Sequence, residues 1–346
     1  MGDDPHGVDL RHPQWTGLDR RGIGRRGRVG ECRLMGSGQL PIARPLDPGL
    51  PVADELRRVM RDELRLVVDS CTTYASWQIR QRGVAIRRAR RSLKRVRAVL
   101  ELVKSGMDSE IHESLRVQAR DIGRELGPLR DRDVSRDLLA RLEKDAGGRR
   151  RKEAVRLANV LLMASQPDLA IRDHRADEEV VAEAGQDSVT LLDTVETVNL
   201  DDVDRDCVLD GFERMWDRGR KRFHSKDQDR DTEWFHDTRK RAIRLQLALN
   251  PLIEIRRPEL TDSIRSFRRT ANALGDEHDL AVLWDLVETN ARHLGDPKVV
   301  KRIRNEIDRR RADLRWKGMR RGFKALKQKP AKARARLEKW WAKAAD

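Results

Sequence analysis

Residues 236, 239 and 240 of the stretch FHDTRKRAIRLQ are histidine, arginine and lysine, side chains that donate hydrogen bonds to anionic oxygen. On a helix, positions three and four apart share a face, so His236, Arg239 and Lys240 form one cationic cluster that Arg244 extends. A related stretch, IRRARRSLKRVR at 86–97, places Arg87, Arg90, Arg91, Lys94 and Arg97 in the same order. Guanidinium forks meet phosphate-like oxygens two at a time, and lysine adds a mobile point charge. The chemistry these residues offer is the holding of a strong anion. Between Arg87 and Arg97 seven residues are basic and none is acidic, and seven pairs of them stand three or four apart. At roughly 0.2–0.5 kcal/mol of repulsion per pair, the run costs about 1.5–3.5 kcal/mol, out of a total stability of order 5–15 kcal/mol; salt screens part of it. Elsewhere the chain intersperses acids, as with Glu143 beside Lys144 and Glu306 near Arg310. A neutralising anion explains the acid-free run better than a solvated face does.

Other candidates read less sharply. In the expected helix 203–223, Arg214, Arg218, Lys221 and Arg222 recur at helical spacing, as do Arg57, Arg58, Arg61 and Arg65 earlier; each row suits a ligand face or a solvent face equally. His278 lies beside Asp276 and Asp279, which favours a structural histidine held in one tautomer. Asp131, Asp133, Asp276 and Asp279 follow or flank Gly turns and read as helix N-caps rather than metal ligands. The eight Trp do not alternate with basic residues on a strand, so they are expected to pack between helices rather than to stack bases. No G-x-S-x-G, HExxH or Walker motif occurs. No enzyme activity, metal or cofactor is expected.

These side chains must be positioned by helices. From Pro51 onward apolar residues recur at helical spacing, beginning with PVADELRRVMRDELRLVV and Asp54 as N-cap. Helical stretches follow at 77–104, 109–126, 131–145, 149–164, 203–223, 232–250, 259–274, 279–293 and 297–326, with breaks at Gly106, Gly127-Pro128, Gly147-Gly148, Pro251, Pro258, Gly275, Gly295 and Pro297. Only DSVTLLDTVETVNL (187–200) looks strand-like, and it reads as a connector. The first 50 residues hold 10 of the 23 Gly and 5 of the 12 Pro without periodicity, a poorly ordered tail in which Met35 offers an alternative start. With 74 Lys+Arg against 58 Asp+Glu, the net charge of +16 favours polyanionic partners. The three cysteines, Cys32, Cys71 and Cys207, are odd in number and unpaired in spacing, which argues against a disulfide framework or zinc site and suits a cytoplasmic location. Neither a signal peptide nor an 18-residue apolar span is visible, so no membrane partner is expected.

The chain also repeats itself. Shifted by 149, Ile86 falls on Phe235, Arg87 on His236, Arg90 on Arg239, Arg91 on Lys240 and Arg95 on Arg244. At a shift of 148, LGPLRDRDV (126–134) meets LGDEHDLAV (274–282), pairing Gly127 with Gly275 and Arg130 with His278. An all-α duplicated unit follows, with halves near 53–145 and 203–293, a connecting helix at 149–164 and C-terminal helices over 297–346. On each basic helix an apolar stripe faces the bundle: Ile86, Ala89, Leu93, Val96, Leu100 and Val103 in the first, Phe235, Thr238, Ala242, Leu245, Leu249 and Leu252 in the second.

At these two helices, at the LGPLRDRDV and LGDEHDLAV elements, and at GFERMWDRGRKRF (211–223), the chain resembles the CHAD (conserved histidine α-helical domain) family over about residues 53–346. The resemblance implies two pseudo-symmetric four-helix bundles around a basic central groove. It also implies binding of inorganic polyphosphate, often at polyphosphate granules. The site residues it suggests are Arg87, Arg90, Arg91, Lys94, Arg97, Arg214, Arg218, Lys221, His236, Arg239, Lys240 and Arg244. The chain departs from the pattern at Arg87, where the family carries histidine, and at Ile243 and Gln246, which stand opposite Lys94 and Arg97. A weaker second half is expected from these two. The E-x-E-x-K signature of the triphosphate-tunnel domain that accompanies many members is absent. Sequence-nonspecific nucleic-acid binding is the alternative function, although no helix-turn-helix, zinc-finger or RNP motif supports it.

Overall fold

The computed structural model describes residues 43–129, 144, 147–164, 174–225, 231–294 and 296–345. The helix expected at 131–145, with Arg130 to Val134 of the repeat, and residues 1–42 of the tail lie outside them. Ten α-helices are present among the described residues: α1 Val52–Thr72, α2 Ile79–Val103, α3 Ser109–Glu125, α4 Arg149–Ala164, α5 His174–Thr197, α6 Arg205–Phe223, α7 Thr232–Leu249, α8 Arg257–Thr289, α9 Pro297–Ala325 and α10 Pro330–Ala345. No strand occurs among them. The fold is an all-α bundle.

Helix starts follow their cap chemistry. Asp108 accepts from the Glu110 and Ile111 N–H groups, Asp204 from Cys207, Asp231 from Trp234 and Asp296 from Lys298. Pro258 and Pro297 sit in the first turns of α8 and α9. Asp54, expected as a cap, lies inside the first turn of α1, where its charge suits the helix dipole.

Packing closes two cycles of neighbours. Helices α1, α2, α3 and α5 form one, and α6, α7, α8 and α9 the other, with α10 against α6. Each draws its fourth helix from beyond the expected halves. The two meet where α2 packs on α6 and α7. An ideal Cβ on Gly211 of α6 would stand 1.9 Å from the Leu102 carbonyl oxygen of α2, so only glycine permits this crossing. The predicted stripes are all buried, from Ile86 to Val103 and from Phe235 to Leu252, and one continuous core runs through both cycles. A smaller core joins α4 to the second half of α8 and to α9. Fully buried Glu277 of α8 receives Arg311 Nε at 3.0 Å and Arg315 Nε at 2.8 Å from α9.

Four expectations are corrected. Residues 187–200 are no connector: all but the last three belong to α5, whose buried row includes Asp177 and Ser188 beside Val181, Ala184, Leu191 and Val195. Gly275 breaks nothing, because α8 runs straight through it with no positive φ. Asp276 and Asp279 therefore lie mid-helix and cap nothing. The Pro/Gly-rich tail does not extend to residue 50, since Leu46 is buried and its N–H donates to the Pro251 carbonyl at 2.9 Å.

Candidate anion-binding site

A cavity of about 950 Å³ opens among α2, α3, α6, α7 and α8. From α2 it takes Arg90, Lys94, Arg97, Ala98 and Glu101, with Lys104 just beyond; from α3 His112, Glu113, Arg116 and Arg124; from α6 Arg218. Helix α7 contributes His236, Arg239, Lys240, Ile243, Arg244 and Leu247, and α8 contributes His278, Asp279, Val282, Leu283 and Leu286. Ten cationic side chains thus face three carboxylates. Two of the three are already engaged: Glu101 pairs with Arg218 and Glu113 with Arg116.

Eight residues named from the sequence meet here: Arg90, Lys94, Arg97, Arg218, His236, Arg239, Lys240 and Arg244. Four do not line the cavity. Arg87 and Arg91 are exposed on another flank of α2, Arg214 is half-buried on α6, and Lys221 is exposed and pairs with Asp217 at 2.7 Å. The earlier arginine row serves the fold instead. Arg57 donates to the Val195 and Glu196 carbonyls at 2.8 and 2.9 Å, and Arg58 donates to Glu55 at 2.8 Å. Arg95, at the edge of the basic run, turns inward: it is buried and donates to both Glu63 oxygens, at 3.1 and 3.0 Å. One charge of the costly run is thus neutralised from within by α1.

Arg97 shows the electrostatics most clearly. It is half-buried. Burial lowers its pKa, and the guanidiniums of Arg244, Arg116, Arg120 and Arg124 push it in the same direction. Burial, then Arg244 and Arg218, acts likewise on Arg241, against Asp237. A field of this kind favours any ligand that brings negative charge into it. Arg90 and Arg239 are placed by a common device. Arg90 lies over Gly127, where an added Cβ would come 3.0 Å from its guanidinium, and Arg239 over Gly275, at 3.1 Å. Arg90 also donates to the Gly123 carbonyl.

His278 corrects the sequence reading. Its ring stacks at a tilt on His236, centroids 4.5 Å apart, and Nδ1 of each ring is buried without a hydrogen-bond partner among the described residues. It is not locked by Asp276 or Asp279. Burial, then Lys240 and His278, holds His236 below the ordinary histidine pKa, with Arg239 adding to the shift and Glu233 opposing it. His112, by contrast, is buried and bonded through Nε2 to the Leu100 carbonyl at 3.1 Å. Sequence reasoning missed Lys104, Arg116, Arg124 and His278. Arg116, Arg120 and Arg124 do recur every fourth residue, but Glu113 and Asp121 stand among them, so no acid-free run marks α3.

The CHAD domain family matches residues 73–288, which include every residue that lines the cavity. The chain belongs to the CHAD domain family. The match leaves α1, α9 and α10 outside, a narrower span than the resemblance suggested. The CHAD fold is also seen in the crystal structure of the CHAD domain from the plant Ricinus communis, with a TM-score of 0.56 at 18% identity, covering 82% of this chain and 94% of that one. PptA from Streptomyces chartreusis is similar in fold, with a TM-score of 0.51 at 15% identity, covering 81% of this chain and 100% of that one. No curated protein sequence matches this CHAD protein. Among its described residues no helix is long and apolar enough to cross a membrane.

Proposed function

We propose that this CHAD domain binds inorganic polyphosphate in the cavity without catalysing its turnover. The observation that carries the reading is the convergence on the cavity of Arg97, Arg116, Arg124 and Arg244 from three helices, with Glu113 and Asp121 the acids paired among them. A single phosphate cannot meet so spread a set of guanidiniums. A flexible chain with a charge on every unit can, and releases counterions as it does so. The family resemblance points to the same ligand, and attachment to polyphosphate granules would follow from it. The non-catalytic part rests on the lining. Among the described residues it has no Ser, Thr, Cys or Tyr, and two of its three carboxylates are held in ion pairs.

The test is displacement of labelled long-chain polyphosphate at fixed salt. Unlabelled polyphosphate should outcompete single-stranded and duplex DNA by at least about tenfold per phosphate, about 1.4 kcal/mol. DNA that displaces the label equally well or better would overturn the assignment in favour of sequence-nonspecific nucleic-acid binding. Release of phosphate from the polymer by the purified protein would overturn the non-catalytic part.

A further inference from the structure

The cavity accounts for only part of the positive charge. From Leu314 to Leu337 the chain holds ten lysines and arginines and no acid, and none of this segment lines the cavity. Some of these cations are used internally. Arg315 reaches Glu277, Lys317 pairs with Asp313, and Arg334 reaches Asp206, Asp210, Glu213 and Glu338. Arg320, Arg321, Lys324 and Lys327 are exposed and have no carboxylate within ion-pair distance among the described residues.

Two aromatic rings stand in this field. Trp316 is 59% exposed and Phe323 52% exposed; Trp216, Trp234 and Trp341 are buried as expected, so the expectation that tryptophans pack between helices fails at Trp316. The rings are seven residues apart, about 10 Å along the axis at 1.5 Å per residue, and share one face of α9. Both are held. The Arg320 guanidinium lies over Trp316, 5.1 Å from the ring centre. Phe323 stacks on His224 with centroids 4.1 Å apart and planes 26° from parallel. His224 is in turn fixed by Arg220, whose Nη1 donates to His224 Nε2 and to the Leu326 carbonyl, both at 3.0 Å. Each ring is thus backed on one side and open on the other.

Rings fixed in a basic field suit a ligand that offers both negative charge and flat faces. Inorganic polyphosphate has no flat face. A lipid surface would need a broad apolar stripe, but α9 buries its apolar side, with Ile303, Ile307, Gly318 and Gly322, inside the bundle. We propose that this face of α9 is a second anion site that takes single-stranded nucleic acid, with bases on Trp316 and Phe323 and phosphates on Arg320, Arg321, Lys324 and Lys327. Stacking on aromatic platforms beside a cationic track is tolerant of sequence. The site is independent of the polyphosphate reading.

The experiment uses the full chain and a labelled oligothymidine of about 20 nucleotides, longer than the roughly 4–16 nucleotides a compact surface covers. An abasic strand with the same number of phosphates serves as the control. The double variant Trp316→Ala/Phe323→Ala, at exposed positions, should weaken oligothymidine binding by at least about tenfold and leave polyphosphate affinity unchanged. The abasic strand should bind the parent more weakly and be insensitive to the double variant. Arg90→Gln/Arg97→Gln should weaken polyphosphate and spare oligothymidine. Oligothymidine binding that survives loss of both rings, or is lost only with the cavity cations, overturns the proposal. So does binding to anionic phospholipid vesicles that is tighter than to oligothymidine and depends on the same rings, which would make the face a membrane contact.

Discussion

Helices α2 and α7 carry the same repeat and spend it differently. Arg90 and Arg239 do the same thing, each laid across a glycine of a following segment at the cavity wall. Four residues on, the pair is Lys94 and Ile243, which both line the cavity, and then Ala98 and Leu247. Beyond these shared rows the helices expose different flanks. Helix α2 adds Arg97 and Glu101, whereas α7 adds His236, Lys240 and Arg244. Arg95 and Arg244 are equivalent in the repeat, yet one is buried on Glu63 and the other lines the cavity. Ile243 and Gln246 had suggested a weaker second half. In place, α2 brings Arg90, Lys94 and Arg97 and α7 brings Arg239, Lys240 and Arg244, three permanent cations each. What a repeated sequence motif contributes depends on how its helix is turned about its axis.

The sharpest way to break this comparison is to remove the acid that distinguishes Arg95 from Arg244. Glu63→Gln takes away the carboxylate to which buried Arg95 donates and should cost about 3–5 kcal/mol, read from urea unfolding. Arg244→Gln should change stability by no more than about 0.5 kcal/mol while weakening polyphosphate. Equal effects of the two on the unfolding midpoint would erase the distinction.

Next in size is the balance between the two helices. Arg90→Gln/Arg97→Gln and Arg239→Gln/Arg244→Gln should lower polyphosphate affinity alike. Each should flatten the slope of log affinity against log salt by about 1.4, taking the single-strand value of about 0.7 per neutralised phosphate. Arg87→Gln/Arg91→Gln should leave affinity and slope near those of the parent. A clearly larger effect from the α2 pair would restore the unequal halves.

The histidine that only α7 carries gives a smaller, pH-dependent effect. In the empty protein the pKa of His236 is held below its ordinary value, by burial first, so the unfolded chain takes up that proton more readily. Stability from this group is therefore present above the unfolded value of about 6.5 and declines as pH falls below it. A bound polyanion acts the other way and raises the pKa. Affinity should increase between pH 8 and pH 6, with proton uptake on binding and a gain of no more than about tenfold per pH unit for one proton. His236→Gln should flatten that profile. An affinity that falls on acidification would remove His236 from the site. The smallest effect is expected at the glycines. Gly275→Ala puts a Cβ 3.1 Å from the Arg239 guanidinium and must shift it, so affinity should fall by less than about tenfold. The gain of about 1 kcal/mol that alanine brings to a helix interior should keep the melting temperature level or raise it. Gly127→Ala should act in the same direction through Arg90.

Much of this was legible in the sequence where period and charge act locally. The buried stripes of α2 and α7 follow from spacing alone. Helix α5 was hidden because its buried row is broken by Asp177 and Ser188, and because Val and Thr crowd its second half. Gly275 looks like a helix stop, and its reason for being glycine is an arginine from another helix. Arg95 and Arg244 look alike in the chain, and the acid that separates them lies 32 residues before Arg95, on α1. The cations of α3 were masked by the acids that pair with them.

The contact of Gly211 with Leu102 joins residues far apart along the chain, and this sets a schedule for synthesis. Helices α1, α2, α3 and α5 are complete once Thr197 has been made. The last wall of the cavity needs chain out to Leu286, a further delay of about 4–18 s at common translation rates. During that interval Arg90, Lys94 and Arg97 lack the α8 side of their cavity, while the ribosome beside them is rich in RNA. A nascent chain of this protein therefore presents its basic helix α2 to the largest polyanion in its surroundings before the cavity is complete.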